Sequence, residues 1–237
     1  MKKIIFLALF CFVALSFAFG QSDDSKQTRV YRPDIPGSFK IDWGFLIPLD
    51  APEKFSNTFF PSNSLNIYYQ YPIRFGKSKF SFNPGAGFSF ERFKFNNNVI
   101  LDRVGQRYDL VAGSTRFSGI QKTILSQRFF DVPLEFRFDT KPEDVANSFN
   151  FALGGRAGFL IDAMMKVKHS ENGQKITTKE KQNFGLTEFR YGVYTRMGIG
   201  SFNLFLFYNL SPMFQSGRGP DRTTMTTFST GISINGF

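Results

Sequence analysis

Few side chains in the chain can act as nucleophiles, general bases or metal ligands, and they are poorly placed for chemistry. The 237 residues include one histidine, His169, and one cysteine, Cys11. Ser170 follows His169, but neighbouring strand residues point to opposite sides, so the pair cannot form a nucleophile and its base. We expect His169 to be a solvated loop residue. This composition also excludes disulfide frameworks, most metal sites and histidine-based catalytic triads.

Two other patterns favour structural roles over chemistry. Asp131 and Glu135 share one phase of a strand, as a catalytic carboxylate pair would, but Arg137 shares that phase and favours ion pairing. The glycines of residues 154–158 do not open a helix, so they are not a phosphate loop and are typical of a strongly curved strand. We therefore predict no catalytic residue, no cofactor site and no metal site, and a protein that is not an enzyme.

The first residues have the pattern of an export signal. Two lysines precede an apolar run at residues 4–17, and the Ala-Phe-Gly of residues 18–20 suits a signal peptidase. We predict a signal peptide at 1–20, which takes Cys11 with it. The alternative, an N-terminal membrane anchor, is disfavoured because the run is shorter than the roughly 18 residues of a spanning helix. Residues 21–37 lack a core-forming pattern, and we expect a mobile periplasmic segment there.

From residue 38 onward, apolar and polar residues alternate with the period of two that is typical of β-strands. Aromatic residues make up 18% of the chain, including 33 Phe, and no long stretch has a helical period. Most of the predicted strands reach the 9 to about 11 residues that cross a bilayer. The eight predicted strands lie at about 38–47, 65–73, 80–90, 127–138, 149–167, 186–199, 201–210 and 224–237.

The connections between these strands alternate in length. The long ones are 48–63, 96–126, 168–183 and 211–223, and the shorter ones are 76–79, 140–148 and Gly200. A membrane barrel has tight periplasmic turns at one end and long extracellular loops at the other, whereas a soluble sandwich does not need this asymmetry. We predict an all-β, eight-stranded antiparallel up-and-down transmembrane β-barrel over 38–237, located in the cell outer membrane. Phe237 resembles an aromatic sorting signal, although Ser233 and Asn235 in the same phase are polar.

Alternation alone permits two orientations of the strands. In a soluble, lipocalin-like barrel the Phe face would fill the interior, whereas in a membrane barrel it would meet lipid. The loop asymmetry, the aromatic content and Phe237 favour the membrane form, with Phe45, Tyr69 and Tyr191 outward. The lumen would then hold six acids and five bases, a balance that predicts an interior closed by ion pairs and no open pore. These residues are Lys40, Asp42, Glu91, Asp131, Glu135, Arg137, Arg156, Asp162, Glu188, Arg190 and Arg196.

The chain is basic, with a formal net charge of +10. For an exported chain without a nucleic-acid-binding motif, this predicts outer-membrane lipids and lipopolysaccharide, or acidic envelope proteins, as partners, and no nucleic acid. The basic loops 96–126 and 168–183 are the candidate contact regions. Short apolar pieces at 99–101 and 109–111 would prolong the flanking strands as a hairpin. The alternative is an ordinary solvated basic surface.

Three segments resemble the PorT-like outer-membrane β-barrel proteins of the Bacteroidota. They are the run from Tyr31 to Phe39, the run from Gly76 to Gly87 and the strand from Phe130 to Glu135. The resemblance implies an eight-stranded outer-membrane barrel, and by analogy a link to protein secretion through the type IX system; it transfers no site residues. The favoured function is a non-enzymatic structural or accessory component of the cell envelope. The alternative is a lipid-binding or lipid-modifying barrel, and a diffusion pore is disfavoured.

Overall fold

The computed structural model describes residues 37–58 and 62–236. The expected signal peptide, all but one residue of the expected segment 21–37, and Phe237 lie outside the described residues. Those predictions therefore stay predictions. In the described ranges, no helix combines the length and the apolar character that a membrane crossing requires.

The described chain is almost entirely β-structure, with three single-turn 3-10 helices at 113–115, 145–147 and 220–222. Its strands are β1 (Ser38–Leu49), β2 (Asn63–Gln70), β3 (Ile73–Arg74), β4 (Phe80–Phe95), β5 (Val99–Val104), β6 (Arg107–Ala112), β7 (Lys122–Asp139), β8 (Phe149–Glu171), β9 (Gln174–Lys181), β10 (Phe189–Ile199), β11 (Phe202–Asn209) and β12 (Thr226–Asn235).

Eight of these strands form a closed antiparallel barrel. Their order is β1-β2-β4-β7-β8-β10-β11-β12, and β12 pairs with β1 to complete the circle. The closing register runs from Lys40 opposite Asn235 to Leu49 opposite Thr226. A closed sheet has no free edge, so the backbone groups of every barrel strand find partners on both sides. The prediction of eight antiparallel up-and-down strands is confirmed.

The long connections contain more regular structure than the sequence indicated. β7 begins at Lys122 and β8 runs to Glu171, so much of the predicted loop 168–183 is a β8–β9 hairpin. The apolar pieces of loop 96–126 do form a hairpin, β5–β6, but this is a separate two-stranded sheet and does not prolong β4 and β7. We call the end of the barrel that carries these hairpins the long-loop end, and the opposite end the short-turn end.

A β-bulge in β8 reverses which side chains point inward. Arg128 pairs with Asp162, but the next residue of β7, Phe129, pairs with Leu160, so one residue of β8 is extra. Before the bulge the even-numbered residues of β8, such as Arg156, are buried, and after it the odd-numbered ones, such as Met165, are buried. The predicted lumen position of Asp162 assumed that even positions face inward along the whole strand, and this is wrong beyond the bulge.

The interior changes character along the barrel axis. Toward the short-turn end and through the middle it is polar, and at the long-loop end it becomes a hydrophobic cluster that we call the apolar cap. Strand positions, the β5–β6 hairpin and the remaining long loops all contribute to it. The buried members are Leu46, Phe55, Phe93, Phe95, Val99, Ile100, Leu101, Leu110, Leu125, Ala163, Met165, Val167, Phe184, Leu186, Met213, Phe214 and Met225.

Candidate functional site

The outer surface of the barrel is apolar and its interior is charged. Phe136 and Leu153 are more than half exposed, at 59% and 58%, whereas Asp131 and Glu135 are fully buried. A lipocalin-like barrel would have the opposite arrangement, with aromatic side chains inside and charges in water. The outward face is therefore built to meet lipid, as the sequence predicted.

One group of buried charges lies toward the short-turn end, and we call it the lower cluster. Glu135 accepts hydrogen bonds from the Lys40 ammonium at 2.6 Å and from Asn83 at 3.2 Å, and it also pairs with Arg196. Arg196 reaches across to Asp42 with a distance of 2.7 Å between Nη2 and Oδ2. Two bases and two acids from β1, β7 and β10 thus neutralise one another.

A second group, the upper cluster, lies closer to the long-loop end. Arg190 donates to Asp131 at 2.9 Å and pairs with Glu91, while the Arg156 Nε lies 3.5 Å from Asp131. The Tyr68 hydroxyl donates to Asp131 at 3.0 Å and accepts a hydrogen bond from Arg156. This cluster also contains two bases and two acids, so neither group carries a net charge.

Aromatic rings cover the two guanidinium groups of the upper cluster. The guanidinium carbon of Arg156 lies 3.5 Å from the centroid of the Phe207 ring, and that of Arg190 lies 3.6 Å from the Phe129 centroid. Ring faces attract cations, and the rings also exclude water from the ion pairs. Phe129, Phe207 and Tyr68 occupy inward positions of their strands, and this phase is the signal by which sequence reading could have assigned them to the interior.

The two clusters fill the middle of the lumen, and a cavity of about 140 Å³ lined by Lys40, Asn83 and Arg137 lies toward the short-turn end. The cavity beside Glu91 and Arg190 has a volume of about 20 Å³, enough for about one water molecule. Above it lies the apolar cap, and below it the lower cluster. An eight-stranded barrel has an interior just wide enough for side chains to fill, and the side chains of the two clusters fill its middle. In the described residues, the arrangement is that of a plug.

Eight of the eleven charged residues predicted in the lumen belong to these clusters. Arg137 is half-buried near the short-turn end and pairs with Asp139 at 2.9 Å. Asp162 was predicted in the lumen but faces outward because the bulge in β8 changes its side, and it pairs with Arg128 at 3.3 Å. Glu188 was also predicted in the lumen, but it precedes β10 and its side chain is exposed at the rim.

The prediction of a solvated His169 is wrong. Its side chain is only 5% exposed, its Nε2 lies 3.1 Å from the Thr178 hydroxyl, and its ring centroid is 4.8 Å from that of Phe117. β8 extends past the predicted end of its strand and, after the bulge, turns odd positions inward. His169 therefore packs beneath the 113–121 segment as a structural residue.

The described residues bring together no cluster of three or more His, Cys, Asp or Glu side chains suited to hold a metal ion. In the two buried clusters each carboxylate is in contact with a lysine or an arginine. The geometry thus supports a role of the buried charges in stabilising and closing the barrel. The predictions of no catalytic, cofactor or metal site stay predictions.

The model of one protein family, described as the outer membrane protein beta-barrel domain, matches residues 13–215. The chain belongs to this family. The family consists of outer-membrane β-barrels, and this chain forms a closed barrel with an apolar outer face. The predicted location in the outer membrane is therefore confirmed. No curated protein is similar enough in sequence to count as a match.

The chain is similar to two solved structures at a low level. Ail, the attachment invasion locus protein of Yersinia pestis, in complex with the heparin analogue sucrose octasulfate, is 13% identical, with 84% of this chain and 97% of that chain covered and a TM-score of 0.33. A mutant porin of Rh. blastica is 8% identical, with 84% and 98% covered and a TM-score of 0.20. Similarity at this level carries no information on function.

The lower cluster yields a stability prediction. Glu135→Gln removes the carboxylate that Lys40 and Arg196 share, which leaves excess positive charge in a sealed interior. We expect the free energy of unfolding in detergent to fall by about 3 to 5 kcal/mol, measured by urea titration. Asp162→Asn, which breaks an ion pair on the outer wall, is the matched control and should cost about 1 kcal/mol or less. Equal losses in the two variants would contradict a buried network.

Proposed function

We propose that this protein is a closed, non-enzymatic outer-membrane barrel that holds a folded extracellular head and serves as a structural or accessory component of the cell envelope. The observation that carries the proposal is the filled interior. The two neutral charge clusters and the apolar cap block the lumen, so the barrel does not serve as a channel. Partners can then contact only the head and the lipid-facing outer surface of the barrel.

The head consists of the β5–β6 hairpin, the β8–β9 hairpin and the loops that pack on the apolar cap. Ile100, Leu101 and Leu110 of β5–β6 are buried in the cap. The Tyr108 amide donates to the Arg218 carbonyl at 2.9 Å, and the Tyr108 hydroxyl donates to Gln182 at 3.1 Å. These contacts support a head of defined shape, which suits a role in docking a partner.

The proposal includes the topology of the chain in the envelope. Residues 1–20 act as the export signal, residues 21–37 lie in the periplasm, and the long-loop end faces the cell exterior. The alternation of short turns and long hairpins supports this orientation, because outer-membrane barrels keep their short turns in the periplasm.

The partners proposed for the head and for the outer surface of the barrel are lipopolysaccharide and envelope proteins. The resemblance to PorT-like barrels supports an accessory role in protein secretion. A lipid-modifying activity receives less support, because the buried carboxylates contact bases and His169 contacts Thr178 in the described structure.

A closed interior predicts that the refolded protein forms no stable channel. In planar bilayers we expect no steady conductance, and in proteoliposomes we expect no sugar-dependent swelling, because the ion pairs and the cap block the lumen. A 16-stranded porin in the same lipid is the positive control. Stable openings of nanosiemens size would refute the closed-barrel function.

Single cysteines can report the orientation, because Cys11 is the one cysteine of the sequence and lies in the expected signal peptide. Lys175→Cys, at the start of β9, should react with a membrane-impermeant maleimide on intact cells. Lys77→Cys, in a short turn, should react only after the outer membrane is permeabilised. The reverse pattern would place the long-loop end in the periplasm.

The secretion link predicts specific companions. We expect affinity purification of the tagged protein from native envelopes, after mild detergent extraction, to enrich components of a secretion machine. The same purification from cells that express a variant with β5–β6 replaced by a short glycine-serine turn should lose the proteins that dock on the head. Recovery of abundant porins alone, equally with both baits, would count against an accessory role.

A further inference from the structure

Four neighbouring strands continue past the apolar outer band at the long-loop end. On β4 and β7 the outward aromatic residues end at Phe90 and Phe130, and beyond them the outward positions are mostly basic. Beyond its bulge β8 turns Lys166 and Lys168 outward, and its partner β9 turns Lys179 and Lys181 to the same face. We call this surface the cationic wall. Its members are Arg92, Lys94, Lys122, Arg128, Lys166, Lys168, Lys179 and Lys181.

The strand register places like charges side by side on this wall. Lys122 lies directly opposite Lys168, and Lys166 lies directly opposite Lys179. Side chains in directly opposed positions of antiparallel strands share a face and stand about 5 Å apart at Cβ, where like charges destabilise the sheet. The two pairs therefore cost stability, and an anion bound between the ammonium groups would offset this cost.

Acidic side chains neutralise little of this charge. Asp162 lies 3.3 Å from Arg128 and 3.9 Å from Lys181. Among the described residues, no carboxylate comes within 4 Å of the other six basic groups of the wall. The contrast with the interior is sharp, because every buried base of the two clusters has a carboxylate partner.

The pKa of Lys122 reflects this repulsion. Partial burial lowers its pKa below the ordinary value, and the nearby cations Lys94, Arg92, Lys168 and Lys166 lower it further. A bound anion would act in the opposite direction, since it would favour the protonated ammonium.

The wall is continuous with the surface that meets lipid. Phe90 lies directly opposite Arg128 across the β4–β7 pair. A shallow groove of about 330 Å³ runs from Phe90 to the wall and is lined by Arg92, Ile124, Arg128, Met164 and Lys166 among others. One ligand with an apolar part and an anionic part can therefore occupy both surfaces at once.

The rest of the barrel circumference does not share this charge. At the same end of β1, β10, β11 and β12, the outward side chains are uncharged. They include Ile47, Phe189, Tyr208 and Thr226. The positive charge is thus concentrated on one side of the barrel.

We propose that the cationic wall binds the phosphate groups of an outer-leaflet glycolipid of the lipid A type, whose acyl chains lie along Phe90 and Phe130. The proposal deepens the lipopolysaccharide contact proposed above and rests on the proposed orientation. A lipid partner is favoured over a soluble polyanion because the basic residues begin where the apolar band ends, which is the depth of lipid headgroups. Lysine and arginine near an anionic membrane surface contribute about 1 kcal/mol each to binding.

Binding to purified lipid A tests the proposal. The refolded barrel in neutral detergent micelles is titrated with bis-phosphorylated lipid A, and bound lipid is counted by native mass spectrometry. The wall variant carries Lys94→Gln, Lys122→Gln, Lys166→Gln and Lys168→Gln. The control variant loses the same charge outside the wall, through Lys54→Gln, Lys77→Gln, Lys79→Gln and Lys141→Gln, all exposed positions.

We expect at least about tenfold weaker binding for the wall variant, in line with the loss of four cations, and unchanged binding for the control variant. Lipid A stripped of both phosphates should bind the wild type as weakly as intact lipid A binds the wall variant. The double variant Lys122→Gln/Lys168→Gln removes one like-charge pair, so it should fold at least as stably as wild type and still bind less lipid.

Three results would overturn the proposal. The first is equal binding by wild type and wall variant, and the second is equal loss in the wall and control variants. The third is wall-dependent binding of a soluble sulfated oligosaccharide with no wall-dependent binding of lipid A, which would assign the surface to a polyanion in solution. The micelle assay does not depend on orientation or conductance, so its failure is distinguishable from failure of the proposed function.

Discussion

Within lipid, each backbone N–H and C=O must find its partner inside the protein, and the pairing of β12 with β1 meets this constraint for the whole barrel. Once the sheet is closed, every strand has one side toward lipid and one side toward a sealed interior. The alternation of side chains follows, because the outer side must be apolar. Charges on the inner side have no access to bulk water, so they must neutralise one another.

The interior meets this demand with two separate neutral clusters. In each cluster one carboxylate, Glu135 or Asp131, receives two basic groups, and a second carboxylate contacts one of those bases. Removing one charged side chain leaves an uncompensated charge that cannot reach solvent. The stability of each cluster therefore depends on all of its members. Above these clusters the interior becomes apolar, and the bulge in β8 makes this possible because it turns Ala163, Met165 and Val167 inward.

Alternation in the sequence was sufficient to predict the eight strands, their antiparallel order and the facing of Glu135 and Arg190. It was insufficient wherever strict alternation fails. The bulge in β8 moved Asp162 outward and His169 inward. The sequence shows no change of phase there, because the interior becomes apolar beyond the bulge and the apolar residues stay on odd positions. The docking of β5–β6 depends on contacts between segments far apart in sequence, such as Tyr108 with Arg218, which local periodicity does not contain.

The bulge also connects the interior to the outer wall. Because it reverses the phase of β8, the same stretch that sends Met165 and Val167 into the apolar cap sends Lys166 and Lys168 to the outer surface, opposite the lysines of β7 and β9. Without the extra residue these lysines would lie inside, where no carboxylate is placed to receive them. The four bases sealed inside the barrel are thus matched by four buried carboxylates. Six of the eight basic residues of the cationic wall have no carboxylate partner among the described residues, and there an external anion can supply the missing charge.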